Sequence, residues 1–417
     1  MGQAEGISKM TLGCNAKRDG LIVRKAVKTQ LSCLPKDVEA LAIEKVSHLA
    51  QGSAIWTKMV IELIQTRGIM ALGPMRLFLE QVPLPSQLSK LYAMLLSRCT
   101  SNDSENERLA NQTLAIPAIA RRPFSILELA WAVAMGTAPM GVTTMAALGD
   151  WVDHKRLMSL IHPFVGRLDF SDLKKRQVRL IHQSVKAFIV ETWADQLQSP
   201  AASASTDRET LYRRTEGLEG LVLEICINYL QLDEIGTTAI FPEEQVAMEA
   251  LPRDVDLFND DTLMDHYEPG CSWEDLERGM ARYDPADRGF GEFFVYASCY
   301  SIHHFSAVNN HCLPSLTSIE NLCRAGSTRL DNWARQNCRP DCAIQPRFEF
   351  DSSLYDPLSI TSLYGSEVML RGMLENSDFD NGKFLPNPSI GAASQILQWG
   401  DFPRVKILLE SKHGHQL

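Results

Sequence analysis

The residues whose types and spacing could do chemistry crowd into 303–342, where cysteine and histidine thicken. Cys338-Arg-Pro-Asp-Cys342 has a spacing that zinc tolerates. A closed zinc site needs four well-placed ligands, and Cys312 and Cys323, with ten residues between them, do not make a second knuckle. No metal is therefore expected on Cys312, Cys323, Cys338 and Cys342. An enzyme with a Cys/His site in 303–342 is the third functional reading, but no nucleophile or metal motif accompanies it. G-x-S-x-G, H-E-x-x-H and G-x-G-x-x-G are all absent.

Phosphate chemistry fares no better. A nucleotide cradle needs a Gly-rich loop of backbone N–H donors, a Lys for the β and γ phosphates and a Ser or Thr for magnesium. No G-x-x-x-x-G-K-[ST] occurs, and the one Gly-Lys pair, Gly382-Lys383, is followed by Phe384. The expectation is a chain that is not an enzyme and carries no cofactor.

The elements that would position functional residues are clearest from Lys155 to Trp193. Leu157, Leu160, Ile161 and Phe164 give one apolar face to a helix over 153–162. Phe164 to Phe170 reads as a short strand, Ser171-Asp172 as a polar turn and Val178 to Ile181 as the returning strand. A second helix follows, with Val185, Phe188, Ile189 and Trp193 on one stripe and Ser184 placed to cap it. Upstream, Ser125-Ile126-Leu127-Glu128 is a capping-box pattern that opens a helix burying Leu127, Ala130, Trp131 and Met135. Together these predict a winged helix over 116–197.

A winged helix invites a nucleic-acid reading, which is the alternative function. Between Arg121 and Asp195 there are ten Lys or Arg against seven Asp or Glu, and the wing holds Lys174, Lys175, Arg176 and Arg179. Such cations could meet phosphates without reading sequence. The helix before the wing offers Lys155 and Arg156 but no Asn or Gln, and its remainder is largely apolar. A solvated hairpin tip is favoured, and nucleic acid is disfavoured as a partner.

The N-terminal part, 1–115, reads as helical. Val38, Leu41, Val46 and Leu49 line one helix, and Gly52-Ser53 breaks it. Ile55, Trp56, Met59, Val60, Leu63 and Ile64 line the next, and Leu88, Leu91, Tyr92, Leu95 and Cys99 a third.

Several of these segments also carry a family resemblance. RRPFSILELAWAVAM, then VRLIHQSVKAFI, resembles the winged-helix segment that follows the NACHT NTPase core in fungal NLR-like (STAND) proteins. Ala187 stands where that family usually has an acidic residue. HLAQGSAIWTKMVIELI and PLPSQLSKLYAMLLSRC are similar to the family's helical lid. LEICINYLQL and FGEFFVYASCYSIHHF are similar to its connector helices, with Ser301 in place of a Trp. The resemblance implies a signalling or interaction protein, and the missing phosphate loop keeps the family's NTPase activity from carrying over. It also points to His182. In related switches a winged-helix histidine touches the nucleotide phosphate, and Ile181-His182-Gln183 sits at a similar position with Gln183 in place of the acid. With no cradle to hold a ligand, a histidine that caps or packs the last helix is the plainer reading.

After an Ala/Ser/Pro-rich linker at 200–206, a helix over 218–232 and an acidic stretch over 254–287 form part of a connector, 198–345. The last segment, 346–417, carries a weak repeat. Pro357 and Pro388 are 31 residues apart and Gly365 and Gly400 are 35 apart, bracketing the ankyrin period. Two degenerate ankyrin-like helix pairs are expected, with an apolar end at Ile407, Leu408 and Leu409 that binds a protein partner or recruits a second copy.

Composition frames all of this. The chain of 417 residues is 45% hydrophobic with a net charge of −10, which suits a globular protein and disfavours anionic surfaces. Gly6 stands where a myristoylation signal wants Ser or Thr, and no signal peptide or membrane-length apolar run is evident. A cytoplasmic protein with reduced thiols is expected. It is mainly α, built from a helical bundle, a winged helix with a small hairpin, a helical connector and short degenerate repeats.

Overall fold

The computed structural model describes residues 20–166, 170–197, 207–241, 283–309, 312–343, 347 and 350–411. These residues are mainly helical, with one two-stranded sheet among them. They fall into two compact units, one within 1–125 and 153–198, the other within 126–152 and 199–417. The division follows packing rather than chain order, because the chain leaves the first unit after Ser125 and returns to it at Asp153.

The first unit opens with α1 (20–30), α2 (Lys36–Leu49), α3 (Ala54–Arg67), α4 (Leu72–Gln81), α5 (Leu88–Cys99) and α6 (Ser104–Ile119). Helix α3 is apolar on most sides, and Trp56, Met59, Val60, Ile61 and Leu63 have no exposed surface, so it forms the centre of this bundle. Its Ser53 cap accepts from the Trp56 amide, and Gly68 ends it in the left-handed conformation (φ 61°) that glycine adopts without a Cβ penalty. The Trp56 indole donates to the Pro83 carbonyl at 2.6 Å, so a large apolar side chain is buried with its one polar atom satisfied. Helices α4 and α6 are elements that the apolar stripes did not foretell. In α6 the Asp103 side chain accepts from the Asn106 amide, and Pro117 is accommodated within the last turn.

The remaining elements of this unit are β1 (Phe124–Ser125), β2 (Gln177–Val178), and two helices numbered in chain order, α9 (His154–Ile161) and α10 (Gln183–Leu197). Between β1 and α9 lie α7 (Ile126–Thr137) and α8 (Met145–Gly149), which pack with the second unit. The sheet adds a strand, β1, that the expected hairpin did not include. Pro163 keeps 162–164 in a 3-10 turn, and Val165 bridges to Leu180. The Ile181 amide donates to the Phe164 carbonyl at 3.0 Å and the Gly166 amide to the Arg179 carbonyl at 2.8 Å, while 167–169 lie outside the described residues. The ladder partner of β2 is β1, antiparallel, with Phe124 opposite Val178, both fully buried. Apolar burial at that pair decides the pairing. The stripe of α10 buries Val185, Phe188 and Ile189, while the Trp193 side chain lies outside the described residues.

The second unit is built on α11 (Asp207–Leu230), which packs along α13 (Phe294–Phe305) and against α7. Short α12 (Asp233–Thr237), α14 (Leu316–Leu322) and α15 (Thr328–Asn337) complete its core. Tyr229, Phe290, Phe293, Phe294 and Tyr296 are fully buried, and the Tyr229 hydroxyl donates to the Phe290 carbonyl at 2.8 Å. Gly291 makes this approach possible, since it has φ 68° and a Cβ there would collide with the Tyr229 hydroxyl. Fully buried Asn332 ties α15 to the chain after α12. Its Oδ1 accepts from the Ile240 amide at 2.8 Å, and its Nδ2 donates to the carbonyls of Ile235 and Thr238 at 2.9 and 2.7 Å.

Two helix pairs follow, α16 (Pro357–Tyr364) with α17 (Glu367–Asn376), and α18 (Pro388–Trp399) with α19 (Phe402–Glu410). The first helices of the pairs pack on each other, and so do the second helices. Asp356 opens the first pair with a capping box to Ser359, and its other carboxylate oxygen accepts from the Leu385 amide of the next pair. Of the acidic stretch over 254–287, only 283–287 is described, and the linker at 200–206 lies outside the described residues.

Candidate functional site

His182 occupies the position between β2 and α10. It is exposed, and its Nδ1 accepts from the backbone amide of Ser184 at 3.1 Å. The cap expected of Ser184 is therefore supplied by His182, one residue before the helix begins. An Nδ1 that accepts is unprotonated, so the neutral ring carries its proton on Nε2. The Ser184 hydroxyl then donates to the same Nδ1 at 2.7 Å, and its oxygen accepts from the Tyr92 hydroxyl at 2.7 Å. Tyr92 is fully buried, with its ring 5.5 Å from Phe188 and 6.2 Å from Phe164. Burial pushes its phenol up, and the Ser184 bond opposes that in part. The chain Tyr92–Ser184–His182 thus runs from the core of α5 and α10 to the surface.

In the second unit, the lysine of Gly382-Lys383 is engaged by a carboxylate. Lys383 reaches Glu320 with its ammonium at 3.0 Å, and its amide donates to the Asn381 side chain. An ammonium held on a carboxylate is not poised over a phosphate.

The cysteine and histidine stretch is split by its environment. His303 is exposed, while His304, next to it, is fully buried. The His304 Nδ1 lies 2.5 Å from Glu219 Oε2 and its Nε2 lies 3.0 Å from the Tyr296 hydroxyl. This carboxylate–imidazole–phenol group has catalytic residue types, but no exposed surface through which a substrate could reach the imidazole. It satisfies buried polar atoms where α11 meets α13. Sequence reading missed it because Glu219 is 85 residues from His304 and belongs to an otherwise apolar stripe.

The four cysteines do not converge. Among the described residues no group of three or more His, Cys, Asp or Glu side chains could hold a metal ion. Burial pushes the Cys338 thiol up to about 11 and raises Cys323 and Cys312 as well. A thiol held protonated is a poor nucleophile. Cys338 and Cys342 instead bracket a tight turn in which the Cys342 amide donates to Arg339, with Cys342 at φ 59°. Gln336 braces that turn, since its Nε2 donates to the Arg339 carbonyl at 2.8 Å while its Oε1 accepts from Tyr283 at 2.6 Å.

With this geometry in view, comparison with known proteins is informative. The chain is similar to the vegetative incompatibility protein HET-E-1 of Podospora anserina. Identity is 27% over 207 residues, which take in 47% of this chain and 13% of that protein. The chain therefore spans a small part of the relative it matches. No protein-family profile matches it, and no solved structure does.

The cations expected to face nucleic acid are partly engaged. Arg156 on α9 bonds Glu105 at 2.9 Å and the Asn106 side-chain oxygen at 2.8 and 3.1 Å, so it braces α6 rather than projecting outward. Lys175 lies 3.8 Å from Asp172, and the Asp172 carboxylate also accepts from the amides of Lys174 and Lys175. Arg179 donates to Gln177. Among the described residues, no helix is long and apolar enough to cross a membrane.

Proposed function

We propose that this chain is a non-catalytic interaction or regulatory module of a fungal NLR-like signalling protein, of the kind that acts in self/non-self recognition. The observation that carries this reading is the similarity to the HET-E-1 incompatibility protein. The resemblance of 121–193 to the post-NACHT winged helix supports it, as does the order β1, α7, α8, α9, β2, α10 in the chain. The paired helices α16 to α19 support an ankyrin-like end that meets protein partners. In this reading His182 is a helix cap at the family's sensor position, and no nucleotide is bound.

Two measurements test it. Labelled ATP and GTP with magnesium should show no saturable binding to the full chain, and micromolar affinity for a single site would overturn the non-catalytic reading. Expression of the chain in a filamentous fungus, alone and beside candidate partner alleles, should alter the incompatibility response. Growth and cell viability indifferent to the chain in every pairing would count against a role in recognition.

A further inference from the structure

A cleft of about 980 Å3 opens within the first unit, where α3, α9 and the turn after α9 come together. Two lysines and two histidines line its rim. Lys58 comes from α3, His154 and Lys155 come from α9, and His162 follows α9. Among the described residues the lining holds one carboxylate, Glu62, which lies 3.5 Å from the His162 Nε2. That contact raises the His162 pKa, so the ring carries more positive charge near neutrality than an isolated histidine would. Lys58, His154 and Lys155 have no ion-pair partner among the described residues. Met158 and Val165, each 1% exposed, close the floor, and the apolar surface open to a ligand is the Phe170 ring, 51% exposed, at the edge.

Two lysines without an ion-pair partner among the described residues, beside an exposed aromatic ring, stand out in a chain with a net charge of −10. We propose that this cleft binds a small organic anion, with a single phosphate or carboxylate head on a compact apolar body. The head meets Lys58 and Lys155, and the body covers the Phe170 ring. Neither half suffices alone. An inorganic anion meets only part-exposed charges, which water and salt screen. A neutral apolar molecule gains the Phe170 ring but leaves the lysines as they were. The site has no Gly-rich nest of amides, so it is distinct from a nucleotide cradle, and the proposal does not rest on the function proposed above.

Titration calorimetry on the full chain with 1-naphthyl phosphate tests this. Saturable binding at one site is expected, with inorganic phosphate and 1-naphthol each at least about tenfold weaker. The double variant Lys58→Gln/Lys155→Gln should weaken naphthyl phosphate about tenfold at low salt, and Phe170→Ala several-fold, both with unchanged melting temperature. Glu62→Gln keeps the cleft while removing a carboxylate from its lining, so binding should tighten or hold. No saturation, inorganic phosphate binding as tightly as the naphthyl ester, or an affinity indifferent to the lysine variant would each overturn the proposal.

Discussion

Tyr92 and Ser184 meet hydroxyl to hydroxyl at 2.7 Å, although 92 residues separate them in the chain. The contact fastens α5 to the first turn of α10 and carries the only polar atom of a phenol whose ring is otherwise packed between Phe164 and Phe188. Tyr92→Phe keeps the ring and removes the bond. Its cost is expected near ~1 kcal/mol by urea denaturation. Phe188→Ala empties the same packing site and should cost ~3–5 kcal/mol. Lys174→Ala and Lys175→Ala, on exposed positions of the polar turn, should leave the midpoint nearly unchanged. A turn variant as damaging as Phe188→Ala would contradict this packing.

His162 and Glu62 make the first unit sensitive to pH. The hydrogen bond with Glu62 raises the histidine above its ordinary 6.5 despite the opposing effect of burial. A histidine with a raised folded pKa contributes fully below its unfolded pKa, and the contribution is lost as pH rises through the folded value. The window therefore lies above pH 6.5. The side chain is 52% exposed, so the effect should stay below about 1 kcal/mol. Urea midpoints measured across that window should fall for the natural chain and stay level for Glu62→Gln.

Gly291 carries a steric demand that can be read out directly. Gly291→Ala places a methyl group against the Tyr229 hydroxyl at a positive φ, so strain and collision act together. A loss of roughly 2–4 kcal/mol is expected by calorimetric or denaturant unfolding. Gly289→Ala is the matched control. It shares the positive φ, at 84°, but a Cβ there meets open space, so only the conformational cost of about 1 kcal/mol should appear.

Leu374 and Leu409 hold corresponding places 35 residues apart in the two terminal helix pairs, yet Leu374 is 3% exposed and Leu409 is 54% exposed. The second pair also exposes Ile390, Leu397 and Phe402. Amide exchange across 400–410 should therefore be at least about tenfold faster than across 184–193 in dilute protein. Equal protection of the two segments in a monomer would show that α18 and α19 need no neighbour.

The helices were legible where an apolar stripe was unbroken. Trp56, Met59, Val60, Leu63 and Ile64 in α3, and Val185, Phe188 and Ile189 in α10, are buried as their spacing requires. Helix α6 was obscured because Pro117 and a polar first half dilute its stripe, and its Asp103 cap is the signal that could have found it. Pairing of β2 with β1, beside the contact of 164–166 with 179–181, turned on burial of Phe124 against Val178, a contact across 54 residues that no local pattern encodes. The same limit hid Asn332, whose three hydrogen bonds reach 92 to 97 residues back, and the Glu219–His304 pair. At the candidate site, the histidine at 182 was singled out from sequence, but its Ser184 and Tyr92 partners were not.

The cysteines give each unit its own chemical clock. Cys99 of the first unit sits on α5 with its thiol pushed up to about 11, chiefly by burial and then by Glu62. Cys226 and Cys323 of the second unit are buried and raised further by the same cause, whereas Cys33 is exposed. A maleimide pulse should tag Cys33 in the native protein at once, half-buried Cys99 more slowly, and buried Cys226 and Cys323 only when their unit opens. Peptide mapping after timed pulses in rising urea would then date the unfolding of each unit separately, without a mutation or an attached probe.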